Sequence, residues 1–467
     1  MDTNEWSNIS RRDFLKLGSA VGGAAGALGL GSSRLVAMEQ DLGGEDFSAV
    51  TGAPRRSVPY TCLACNIEDG GVAYVENDRI VKLEGNIDHP NTRGKLCAKG
   101  NAGFLHVYDP DRIMTPLKRT GKRGEGKWQR ISYDEATSIL AGKLREVIDR
   151  ADAEGDPGIL NEMVFKWGRN RTGGACSRFM HALGSNAILH HTDICESSKK
   201  VGLEPGWGPD IESCDWANTK YIINFGSNIL ETAYFMNPNA QRLVDGVVGN
   251  KAKLVSFDVR MSNTSGYADE AYFPYPGTDV AIALAMSHVI MHEGLYDADF
   301  IRDWTNVSAP YLKKHLEPYT PEFAEQESGV PARDIRRIAR EFATTKPATT
   351  FSYRGPCKHV YGSYQEAAIQ MLDVITGNVE KKGGYCLPRG MGWPQPEPEP
   401  PAGPEPSLLA TPPEYPLASH HVSTLAPYRV MKGEAKVSVW MTFYDNPVYT
   451  YPSSHVWKEF HLDEDLV

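Results

Sequence analysis

Tyr221-Ile222-Ile223-Asn224-Phe225-Gly226-Ser227-Asn228 joins a short, almost wholly apolar run to a turn of small polar residues. A run of that length, with no alternation of polar and apolar positions, reads as a strand covered on both faces, and a turn of that composition suits the C-terminal end of such a strand. Lys253-Leu254-Val255-Ser256-Phe257 repeats the pattern and runs into Asp258-Val259-Arg260. Helical periodicity follows over Val280 to Glu293 and again over Ile335 to Thr344. Strand, turn and helix in this order predict an α/β layout with parallel sheets, whose ligand crevice lies at the strand C-termini.

Upstream the texture changes. Val58 to Val107 is dense in Gly, Cys and Asn, and its strand-like pieces Val72-Ala73-Tyr74-Val75 and Ile80-Val81-Lys82-Leu83 flank Asn77-Asp78, a hairpin signal. A helix is expected over Tyr133 to Ala151, opened by Ser132 with Glu135 three residues on as a capping box. Trp393 to Pro416 is packed with proline and glutamate and reads as a surface excursion. No internal repeat is found. Glu459 to Val467 follow closely on a predicted strand, as if the chain were interrupted before a further domain.

The chain of 467 residues is long enough for two to four packed units, and its net charge of -10 argues against nucleic acid or an anionic membrane surface as the main partner. Ser10-Arg11-Arg12-Asp13-Phe14-Leu15-Lys16, ahead of a weakly apolar stretch from Leu17 to Leu30, matches the twin-arginine export signal. That stretch is shorter than the ~20 residues a membrane span needs, so the bland alternative is a short amphipathic helix. Residues 1–38 are assigned to the signal, which places the protein in the periplasm or at the outer face of the cytoplasmic membrane.

Eight cysteines in an exported chain could form disulfides, but their grouping points elsewhere. Cys62-x2-Cys65 and Cys97 supply three thiolates, and Asp69 stands where a C-x2-C-x3-C pattern would have its third cysteine. On spacing alone an iron-sulfur cluster and a zinc site remain rivals. Cys176, Cys195, Cys214, Cys357 and Cys386 are dispersed, most of them expected as buried small residues.

Glu84-Gly85-Asn86, Asp88-His89-Pro90 and Arg93-Gly94-Lys95-Leu96-Cys97-Ala98-Lys99-Gly100 together resemble the cluster domain of the dimethyl-sulfoxide-reductase superfamily of molybdopterin oxidoreductases. The resemblance extends through Ile194-Cys195-Glu196-Ser197-Ser198, the loop Gly226-Ser227-Asn228, Asp258 with Arg260, Pro276-Gly277-Thr278-Asp279, Tyr353-Arg354-Gly355 with Lys358, and Asp445-Asn446-Pro447. It implies a [4Fe-4S] cluster on Cys62, Cys65, Asp69 and Cys97, with Lys99 between cluster and pterin. It further implies bis-molybdopterin guanine dinucleotide around molybdenum, or tungsten, with Cys195 as the protein ligand. Gly226, Ser227, Asn228, Asp258, Arg260, Gly277, Asp279, Gly355, Lys358 and Asn446 are the cofactor-contacting candidates on the same ground.

The implied fold is an N-terminal iron-sulfur domain with a small antiparallel sheet (56–115) and two Rossmann-like α/β domains. One is discontinuous (116–185 and 350–467, with the excursion 393–416), the other spans 186–349, and the family's C-terminal β-barrel is expected to be absent. Cys followed by Glu and Ser is similar to the thiosulfate, polysulfide, tetrathionate and arsenate reductase branch, whereas formate-oxidising members place His next to the ligand. An aryl-acetyl-coenzyme-A-type dehydrogenase, a non-redox hydratase and a cofactor-poor electron-transfer or assembly subunit are the alternatives. His190, His191 and Arg169 are candidates to line the funnel. A ferredoxin-like electron-transfer subunit and a membrane anchor are the implied partners.

Overall fold

The computed structural model describes residues 55–463 apart from 66, 170–171, 209–210, 233–236, 389–402, 404–405, 411–412 and 415–421. The twin-arginine segment and most of 393–416 lie outside the described residues.

Strands β1 (Arg56–Thr61), β2 (Gly70–Glu76) and β3 (Arg79–Gly85) form an antiparallel sheet in that order. The β2–β3 turn is Asn77-Asp78, both at positive φ (48° and 59°), the backbone a tight hairpin demands and the one Asn and Asp tolerate best. The small pair β4 (Leu117–Arg119) and β5 (Trp128–Arg130) comes next, then the helix Tyr133–Glu154. Ser132 accepts from Glu135 N at 3.0 Å, and Gly155 ends the helix at φ 63°, so both termini are set by local chemistry.

Two parallel sheets follow. β6 (Met163–Trp167) lies between β7 (Ile188–His190) and β14 (Val439–Phe443). β9 (Tyr221–Phe225) lies between β10 (Lys253–Phe257) and β12 (Ala348–Ser352), with β11 (Glu270–Tyr272) outside β10. A short antiparallel pair, β8 (Ser213–Cys214) with β13 (Tyr385–Cys386), accompanies them. β7 thus pairs with β6, and β12 with β9.

All five residues of β9 are buried, so the sheet is covered on both sides. The helix Ala332–Thr344 turns Ile335, Ile338, Ala339 and Phe342 inward and leaves its arginines outward. The apolar helix Asp279–His292 lies in the same core with Ile282, Met286 and Ile290. Each such side chain contributes roughly 1.5–3 kcal/mol on burial, and together they fix the strand ends that carry the site. A second core of Val164, Leu189, Trp457 and Phe460 supports the first sheet. Glu459–Leu462 complete the helix Ser454–Leu462. Among the described residues no helix is long and apolar enough to cross a membrane.

Candidate active site

In each parallel sheet the chain adds strands on one side of a central strand and later returns to the other side. The crevices are therefore expected at the C-terminal ends of β9 and β12 and of β6 and β14. At both, glycine lets the flanking loops approach closely. Gly226 has φ 58°, and a Cβ there would lie 2.9 Å from Gly355 Cα, so the loops after β9 and β12 touch backbone to backbone. A Cβ on Gly168 would lie 1.9 Å from Tyr444 O, which brings the ends of β6 and β14 equally close.

Cys195 is where these ends converge. It closes the short helix Thr192–Cys195 after β7, is buried, and accepts from Arg354 Nη2 at 2.6 Å. The next residue, Glu196, is 2 % exposed and takes one partner from each sheet: an ion pair with Arg169, just past β6, and the hydroxyl of Tyr353, just past β12, at 2.7 Å. Burial alone would raise the Glu196 carboxyl, but Arg169 and Tyr353 together hold it below the usual range. Lys358 Nζ donates to Ile194 O, tying the β12 loop to the segment that carries Cys195.

The other cofactor candidates divide. Ser227 Oγ is buried without a hydrogen-bond partner, and Asp279, in the first turn of its helix, is buried with its carboxyl pushed up to about 7, by burial first and by Glu366 and Asp258 second. Gly277 has φ 84° and faces the His359 ring. Asp258 accepts from Val259 N at 2.7 Å, and Arg260 is exposed near Glu231. Asn228 serves structure, since its side chain bonds Thr264 and Glu231, and the Asn446 side chain accepts from Tyr449 N and so caps the helix Pro447–Thr450. The unpartnered buried hydroxyl of Ser227, at the strand end beside a glycine turn, fits hydrogen bonding to a polar cofactor group.

The cysteine-rich domain gathers its candidates as well. Burial pushes the Cys62 thiol up, and Asp69, Cys65 and Cys97 press the same way, so the four sit within reach of one another's charge. Asp69 is 3 % exposed: one oxygen accepts from Asn237, and the other is buried without a hydrogen-bond partner. Burial raises its carboxyl, while Asn237, His89 and Lys99 pull it back. A Cβ on Gly100 would lie 3.3 Å from Cys62 Sγ, so the turn after Cys97 closes on the first cysteine. Among the described residues no group of three His, Cys, Asp or Glu side chains is placed to hold a single metal ion. None of the eight cysteines is paired in a disulfide.

Arg354, Tyr353 and Glu196 meet at Cys195 although sequence reading, which quoted all three within the family motifs, assigned none of them a contact there. Their signal was position: Tyr353-Arg354 directly follows a buried strand, and Glu196 directly follows Cys195. A cavity of about 1210 Å³ lies elsewhere, between the helices Ser197–Trp207 and Gly362–Ile375, and is walled mainly by apolar side chains such as Trp207, Trp304 and Met371. It contains none of the groups just described.

Comparison with known proteins agrees with this geometry. Residues 112–388 match the molybdopterin oxidoreductase family, 58–109 the molybdopterin oxidoreductase Fe4S4 domain, and 8–29 the twin-arginine translocation pathway signal sequence. The molybdopterin-containing subunit of thiosulfate reductase from Salmonella typhimurium is 33% identical over 384 residues, covering 81% of this chain and 47% of that protein. That of the arsenate respiratory reductase from Chrysiogenes arsenatis is 29% identical, covering 83% and 47%. Dimethyl sulfoxide reductase from Escherichia coli is 30% identical, covering 82% and 51%. The chain thus spans about half the length of the curated relatives it matches. Among solved structures, acetylene hydratase from Pelobacter acetylenicus superposes with a TM-score of 0.61 at 26% identity, over 70% of this chain and 44% of that one.

Proposed function

The chain belongs to the molybdopterin oxidoreductase family, within the dimethyl-sulfoxide-reductase superfamily and its thiosulfate and arsenate branch, carries a twin-arginine export signal, and on that premise we propose that it is the catalytic part of a periplasmic enzyme that reduces a small sulfur or arsenic oxyanion by two electrons. The observation that carries this reading is Arg354 on Cys195, beside Arg169 on Glu196. One guanidinium meets the buried thiol, and a second, from the other sheet, meets the carboxylate of the next residue. Glu196 neutralises Arg169, which leaves Arg354 as the cation available to an anionic substrate once the thiolate is engaged by a metal.

A bis-molybdopterin guanine dinucleotide around molybdenum or tungsten supplies the two-electron chemistry when bound. Cys195 is the residue that would ligate it. Gly226, Ser227, Asp258, Gly277 and Asp279 at the second sheet, and Gly355 with Lys358 at its other edge, would hold the dinucleotides, with Arg260 at the rim. Asn228 and Asn446 shape the loops from behind rather than contact the cofactor. Cys62, Cys65, Asp69 and Cys97 would hold the cluster, with Lys99 toward the pterin. In this reading the two α/β domains divide by sheet, β6, β7 and β14 in one and β9 to β12 in the other. A ferredoxin-like subunit would exchange electrons with the cluster, and a membrane anchor would hold the assembly at the outer face.

The test is purified, matured protein assayed with reduced viologen against thiosulfate, tetrathionate, polysulfide and arsenate, alongside metal analysis. Turnover of one of these with molybdenum or tungsten bound is expected, and no turnover by metal-loaded protein refutes the assignment. The likeness to acetylene hydratase favours a second reading, a non-redox hydratase. Hydration of acetylene without consumption of viologen would select it.

A further inference from the structure

One buried network at the first sheet is not used by this reading. Lys166, in the middle of a strand, is wholly buried, and its ammonium lies 3.0 Å from Asp445 Oδ2, just past β14. Its other partner is the hydroxyl of Tyr451, whose ring it also faces at 4.0 Å from the centroid. Asp445, itself 2 % exposed, turns its second oxygen to His191 Nδ1 at 3.4 Å. The His191 ring packs edge-on against Tyr451, with centroids 5.3 Å apart, and Tyr451 in turn is close enough to feel the charge of Cys195. Lys166, Asp445 and His191 thus come from the ends of three neighbouring strands and lead from a dry core to the segment that carries Cys195.

The polarity along this chain is fixed. Burial pushes the Lys166 ammonium below the ordinary lysine range, against the pull of Asp445 and Asp193. Burial alone would raise Asp445, yet His191 and Lys166 hold it low, so it stays a carboxylate and an acceptor. A carboxylate on Nδ1 fixes an imidazole with its proton on that nitrogen and frees Nε2 for exchange with the outside. His191 is partly exposed (29 % of its side chain), whereas the side chains of Lys166 and Asp445 are not, so the histidine is the member of the network that meets solvent. Of the titratable groups, Asp445 and Tyr451 meet it directly, Lys166 stands behind Asp445, and its own segment carries His190, Asp193 and Cys195.

We propose that His191 is the proton donor of this site, with Asp445 and Lys166 as its positioning residues. The inference rests on the reductase reading and adds a proton route to it. In thiosulfate reduction the sulfur-sulfur bond breaks, sulfite leaves with the bonding pair, and the outer sulfur takes two electrons from the viologen-reduced enzyme and one proton, here from His191, to leave as hydrosulfide. Tetrathionate splits into two thiosulfate ions with two electrons and no proton, and so has no need of the donor.

Two measurements on the full, metal-loaded protein test this. Nitrogen NMR of histidine-labelled protein, with the cluster oxidised and the resonance identified by its loss in His191→Gln, should show neutral His191 protonated on Nδ1. A proton on Nε2 overturns the arrangement whatever the enzyme reduces. In turnover, His191→Gln should lower kcat on thiosulfate on the order of 10²-fold, with KM within about threefold and metal content unchanged, and leave tetrathionate reduction within about threefold of the parent. Asp445→Asn should fall between parent and His191→Gln on thiosulfate. Equal losses on both substrates, or none on thiosulfate, overturn the donor role. Parent protein that turns over neither substrate overturns the donor role in thiosulfate reduction, and refutes the reductase reading as well when polysulfide and arsenate are also refused, while the NMR result still decides the His191–Asp445 pairing.

Discussion

Replacing Glu196 should loosen the junction between the two sheets, by an amount the contacts set. The side chain is 2 % exposed and accepts from Arg169 and from Tyr353 OH at 2.7 Å. Hydrogen bonds to a charged group contribute about 1.5–3 kcal/mol each. Arg169, 27 % exposed, regains part of its hydration when the partner is lost, which brings the total for Glu196→Ala down to about 3 kcal/mol. Unfolding entropy of ~2.1 cal/mol/K per residue over 467 residues is about 1 kcal/mol per degree, so a cooperative melt should shift by about 3 °C. Glu196→Gln keeps both hydrogen-bonding positions without the charge and should lose about half of that. Differential scanning calorimetry at neutral pH reads both variants. Because the Glu196 carboxyl is depressed in the fold, its contribution is present above the ordinary glutamate value and is lost as pH falls through the folded value. The gap between parent and Glu196→Gln should therefore close in acid. A Glu196→Ala melt within 1 °C of the parent, or a gap that widens as pH falls, refutes the strut.

Four further outcomes follow from the same geometry. Gly168→Ala would place a Cβ 1.9 Å from Tyr444 O, where only backbone can yield, and should cost at least the ~1–3 kcal/mol of ordinary overpacking in urea denaturation, whereas the exposed Gly142→Ala should cost nothing. Burial pushes Asp373 up to about 7, so the folded state holds a proton that the unfolded chain releases near pH 4; stability should fall as pH rises from about 4 to 7, by at most about 1.4 kcal/mol per unit, and Asp373→Asn should flatten urea midpoints across that window. Lys346, pushed down to about 8 by burial, acts the other way above that range, where stability should rise toward the ordinary lysine value. Asp69→Asn should convert the oxidised, EPR-silent cluster to one with a three-iron signal if the carboxylate is the fourth ligand, and an unchanged spectrum removes Asp69 from the ligand set.

The second sheet was legible because its strands are apolar throughout. β9 and β10 end at Phe225 and Phe257, where sequence reading placed them, and Asn77-Asp78 and Ser132 act through neighbours a few residues away. The first sheet was harder to read. Lys166 interrupts β6, and its burial depends on Asp445 and Tyr451, nearly three hundred residues downstream. β7 is three residues long, and its pairing with β6 carries no local mark. The same holds for the site: Cys195 was visible through the residues around it, whereas Glu196 acquires its role from Arg169 and Tyr353, which meet it only in the folded chain. Asp69 could be placed by spacing, but its burial against Asn237 could not.

The central claim is that Cys195 binds the catalytic metal. X-ray absorption at the molybdenum or tungsten edge of matured protein measures this directly. The account predicts a sulfur-rich shell in the parent that loses one sulfur and gains one oxygen in Cys195→Ser. An unchanged shell in that variant, or matured protein without either metal, would contradict it.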